Sequence, residues 1–62
     1  MNLFILLCVI DRTQYVRVID NETFEIIYEG SKFNSPCVGM DVVNVYASES
    51  EMIIEVKVKR SI

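Results

Sequence analysis

Leu3-Phe4-Ile5-Leu6-Leu7-Cys8-Val9-Ile10 is an unbroken apolar run near the start of a 62-residue chain, and whether it is helix or strand separates two architectures. Leu3, Leu6, Leu7 and Ile10 recur at helical spacing. Phe4, Ile5, Cys8 and Val9 make the run apolar on nearly every side, so periodicity alone does not choose. Asn2 suits an N-cap, leucine favours helix, and Asp11-Arg12-Thr13-Gln14 reads as a polar connection. The branched Ile5, Val9 and Ile10 pull the other way. The balance predicts a short helix.

Beyond the connection the period changes to two. Val16 and Val18 share one face, with Tyr15, Arg17 and Ile19 on the other, the mark of a half-buried strand. Asp20-Asn21-Glu22-Thr23 is a turn, since Asp and Asn side chains bond the local backbone and tolerate left-handed geometry. The run resumes with Phe24, Ile26 and Tyr28 against Glu25, Ile27 and Glu29, completing a β-hairpin. Gly30 ends it. Pro36 has no N–H to donate and restricts Ser35, so residues 31 to 41 form a connection. A helical turn at Pro36 to Met40 is compatible with it, and Phe33, Val38 and Met40 are expected to fold over the core. A second hairpin follows: Val43, Val45 and Ala47 against Val42, Asn44 and Tyr46, a turn at Ser48-Glu49-Ser50, then Met52, Ile54, Val56 and Val58 against Ile53, Glu55, Lys57 and Lys59.

The expected fold is α+β: residues 1–62 as a single domain, with a short N-terminal helix on a curved four-stranded antiparallel sheet of two hairpins. The apolar sheet face needs a partner, and Leu3 to Ile10 is the one at hand. Read as a strand, the same segment gives an all-β five-stranded half-barrel.

Size and charge narrow the function. A domain this small buries only about 60% of its unfolded surface, so oligomerisation is a natural source of extra stability. Two cysteines, Cys8 and Cys37, allow one bridge at most and read as buried free thiols; without histidine they cannot complete a four-ligand zinc site. A formal charge of −3 disfavours direct nucleic-acid binding. Lys57, Lys59 and Arg60 read as a solvated edge or tail. The apolar leader lacks a preceding cation and a small-residue cleavage site, and it is too short to span a bilayer. A cytoplasmic protein without membrane attachment is expected.

No catalytic constellation emerges. Glu25 and Glu29 share a strand face but have no cleft, Cys37 has no histidine to activate it, and two glycines cannot build a phosphate loop. No cofactor is expected. The strongest candidate is the apolar set on the outer sheet face, Tyr15, Ile19, Ile27, Val42, Tyr46 and Ile53, read as an interface for a homo-oligomer or for a host or phage protein.

The Leu-rich start, Tyr-Val-Arg-Val-Ile-Asp at 15–20, Ile-Ile-Tyr-Glu-Gly at 26–30 and Val-Val-Asn-Val-Tyr-Ala at 42–47 together resemble short uncharacterised proteins encoded in phages and mobile elements of Gram-positive bacteria. The resemblance implies a helical leader and no activity; the more apolar leader here departs from it. The expected function is a small binding module acting by self-association or protein docking. An acidic decoy for a nucleic-acid-binding surface is the alternative.

Overall fold

The structure, a computed structural model, describes residues 1–48 and 52–60. Glu49 and Ser50 of the predicted second turn lie outside them. The apolar leader is helix: α1 spans Leu3–Val9, and the Asn2 side chain accepts the Ile5 N–H at 2.9 Å as its N-cap. At the other end the Lys32 ammonium donates to the Leu7 carbonyl, satisfying one of the acceptors a helix end leaves open. Four strands follow: β1 Tyr15–Asp20, β2 Ile26–Ser31, β3 Met40–Ser48 and β4 Ile53–Arg60.

The predicted hairpins are present, but they are joined differently from the purely antiparallel sheet expected. The order is β2-β1-β4-β3, and β1 pairs with β4 in parallel, Val16 opposite Ile54 and Val18 opposite Val56. The sheet is mixed and open. Consequently β4, read from sequence as a charged edge, is central. It needs that position because Val56 and Val58 are fully buried beside Val16 and Val18. Leu3 and Leu7 of α1 complete this core, with Leu6, Ile10, Cys37 and Met40 packed around it.

Two β-bulges reverse the expected side-chain parity. Val18 pairs with Tyr28 but Ile19 pairs with Ile26, so Ile27 is an extra residue in β2. Val42 pairs with Val58 but Asn44 pairs with Lys57, so Val43 is extra in β3. Each insertion moves the residues on one side of it to the opposite face. Ile27 and Val42, expected outside, pack against the core; Phe24, Ile26 and Val43, expected inside, are exposed.

The connection between the hairpins carries the chain from the β2 edge to the β3 edge. Its helical turn is a 3₁₀ turn at Lys32–Asn34, not at Pro36 to Met40. Cys37 and Met40 reach the core, whereas Phe33 and Val38 stay in solvent. At the β3 edge Met1 O accepts the Val42 N–H at 2.7 Å and Asn2 bridges to Asp41. Within β2, the Tyr28 ring lies against Gly30, where an added Cβ would sit 2.9 Å from the Tyr28 hydroxyl oxygen. That hydroxyl donates to the Ser31 carbonyl at 2.6 Å.

Asp20 organises the first turn. Its carboxylate accepts the N–H groups of Glu22 at 2.8 Å and Thr23 at 3.2 Å, and these bonds hold its pKa below the ordinary aspartate value, with Arg60 adding a smaller pull. Asp11 is lowered likewise, first by the Thr13 hydroxyl and then by the Thr13 N–H. A carboxyl lowered in the folded state stabilises the fold above its unfolded pKa, and that contribution is lost as pH falls through the folded value. Asp20→Asn keeps an acceptor for the turn but does not titrate. Thermal melts from pH 5 down to pH 2 should therefore show a shallower acid loss for Asp20→Asn than for the parent; identical slopes would contradict this role.

Candidate interaction surfaces

The outer face of the sheet is ordered in rows set by the register. Across its middle runs Glu29–Arg17–Glu55–Tyr46. Arg17 donates to Glu29 Oε2 at 2.8 Å and to Glu55 Oε2 at 2.5 Å, with about one sixth of the Arg17 and Glu55 side chains exposed. The next row is Ile26–Ile19–Lys57–Asn44. The Lys57 ammonium lies 5.5 Å from the Phe24 ring centre and 5.7 Å from that of Tyr46, within cation–π range of both. Phe24 is held there by a left-handed backbone, φ 63°, and its N–H donates to the Asp20 carbonyl at 2.8 Å. This is the turn position that glycine or asparagine normally fills.

Of the six residues proposed from sequence, the bulges remove Ile27 and Val42 from this face. The register places Ile19 and Tyr46 beside Lys57, while Tyr15 and Ile53 lie beyond the charged middle row. The set is therefore not one continuous patch. Phe24 and Ile26, which the alternation had assigned to the core, take part in the outer face instead.

The helix side carries the larger apolar exposure. Leu3 and Leu7 are buried, but Phe4 is 59% exposed, Ile5 52% and Val9 78%. Cys8, expected to be buried, is also exposed, and Cys37 is half-buried; both are free thiols. Phe4, Cys8 and Cys37 line a cleft of about 220 Å³ between α1 and the 32–39 connection, with Phe33 and Lys32 on its far wall. The helix contains no charged residue. A seven-residue helix is also only about 10 Å long, against roughly 30 Å for a nine-residue strand, so it cannot cover the inner sheet face. Val45, on that face opposite buried Val56, is 41% exposed. The signal for this surface was present in the leader: a helix apolar all round exposes whatever its single sheet partner does not cover.

The polar candidates are tied into the fold, Glu29 by its carboxylate and Glu25 by its backbone. Glu29 is bound to Arg17, and Glu25 precedes β2 with its carbonyl accepting the Asp20 N–H at 2.9 Å. Among the described residues no group of three or more His, Cys, Asp or Glu side chains is placed to hold a metal ion, and no helix is long and apolar enough to cross a membrane. Comparison with known proteins finds no matching family model, no matching curated protein and no matching solved structure.

Proposed function

We propose that the protein acts by binding protein surfaces, without enzymatic activity: a small module, accessory to a phage or mobile element, that self-associates through its helix side. The supporting observation is an inverted apolar balance. Among the described residues thirteen large hydrophobic side chains are exposed and six hydrophobic residues are buried. Met1, Phe4, Ile5, Val9 and Phe33 together expose on the order of 600 Å² of surface. That approaches the ~800 Å² per partner of a standard interface, and the uncovered inner sheet face can supply the rest. A second copy related by a two-fold axis covers the same apolar surface on both chains.

The acidic-decoy reading gains less support. Asp11 and Asp20 are engaged in turns and Glu29 and Glu55 in the Arg17 cluster, which leaves no concentrated acidic face among them.

A soluble paramagnetic chelate tests the proposal through methyl NMR signals at high protein concentration. The methyls of Ile5 and Val9 should be protected relative to those of Ile26 on the outer face. Equal bleaching of all three would count against a helix-side interface.

A further inference from the structure

We infer that the outer sheet face is a docking site for a carboxylate-bearing apolar segment of another protein, with Lys57 as the anion-binding group between the Phe24 and Tyr46 rings. This does not rest on helix-side association, which uses the opposite side of the sheet.

Three independent features converge on Lys57. First, it is a cation on a central strand that no carboxylate pairs with among the described residues, while Arg17 in the neighbouring row binds two. Its ammonium retains its three donors. Second, its register partner Asn44 accepts the Val45 N–H at 2.9 Å through Oδ1, which leaves the amide N–H groups as donors beside Lys57. Ammonium and amide together match the acceptor-only chemistry of a carboxylate.

Third, Phe24 is placed against its own backbone preference. A bulky residue at φ 63° is strained, and its ring, 67% exposed, adds nothing to the core. Strain of this kind, shared among the described non-glycine residues with Met52 at φ 57°, persists where the surrounding structure over-determines it and clusters at binding sites. What the strain accomplishes is the aromatic wall over Lys57. On the β1–β2 side of Lys57, where Phe24 also stands, the row continues into Ile19 and Ile26. The complement of this face is an Asp or Glu carboxylate flanked by branched aliphatic residues. Glu29 and Glu55, held by Arg17 in the adjacent row, repel a segment carrying a run of acidic residues and so favour a single carboxylate in an apolar context.

The test is an NMR titration with the blocked peptide acetyl-Ile-Glu-Val-amide and with its glutamine counterpart. Saturable shifts are expected at Phe24, Asn44, Tyr46 and Lys57 with the glutamate peptide. Binding should be about tenfold weaker for the glutamine peptide and for Lys57→Met, the factor for losing one charge-assisted hydrogen bond. Phe24→Gly suits the left-handed turn, so it should melt no lower than the parent yet bind the glutamate peptide more weakly. Equal binding of both peptides, unchanged binding by Phe24→Gly, no shifts at millimolar peptide, or shifts confined to the helix side would each overturn the inference. So would movement of the Lys57 signals on concentrating the protein alone, which would make the occupant a second copy.

Discussion

Leu3→Ala is expected to leave the protein largely unfolded at room temperature. Leu3 is fully buried and joins α1 to the four valines of β1 and β4. Truncating a buried leucine costs about 2–5 kcal/mol through lost transfer energy and the cavity left behind. A single core in a chain of this size rarely supplies more than about 3–5 kcal/mol in total. With six buried residues among those described there is little surrounding structure to collapse into the space. Urea titration followed by circular dichroism should show the midpoint moved close to zero denaturant. At low micromolar protein, where the single chain predominates, the exposed Ile5→Ala should stay within about 0.5 kcal/mol of the parent. A loss below about 1 kcal/mol for Leu3→Ala would mean that α1 does not dock on the sheet as described.

The second large effect is expected from Arg17→Ala. Arg17 holds the carboxylates of Glu29 and Glu55 on adjacent strands, and its removal leaves them facing each other across β1. Breaking a fully buried pair costs about 3–5 kcal/mol; Glu55 is mostly but not wholly covered, and with solvent screening the expected loss is about 2–3 kcal/mol. The double variant Arg17→Ala/Glu55→Leu should recover much of that, because the unpaired carboxylate goes with its partner. The double-mutant cycle measures this coupling directly. Additive losses would show that the charged row is surface decoration and not part of the sheet's register.

Much of this fold is legible in the residues. Asn2 before a leucine-rich run gives the capped helix, and Asp20-Asn21 gives the first hairpin turn, because both signals depend on neighbours in sequence. Strand order is different. Alternation reports which side chains share a face but carries no information on which strand lies next to which, so the parallel pairing of β1 and β4 was out of reach. The parity errors are more instructive. Ile26-Ile27 and Val42-Val43 are adjacent branched pairs that interrupt the alternation, and both coincide with bulges. What looked like stray apolar residues on the outer face, Ile27 and Val42, marked the points where the strand inserts a residue. The candidate interface inherited that error, and Phe24 and Ile26 were missed for the same reason. The exposed helix surface was legible in principle, since Leu3 to Ile10 offers more apolar faces than one sheet can cover.

Absolute mass by light scattering, from low micromolar to millimolar protein, tests self-association through the helix side most directly. The parent should rise toward twice the chain mass, Ile5→Asp should remain at the single-chain mass, and Tyr46→Asp on the outer face should follow the parent. A single-chain mass at every concentration, or a dimer that persists in Ile5→Asp, would contradict it.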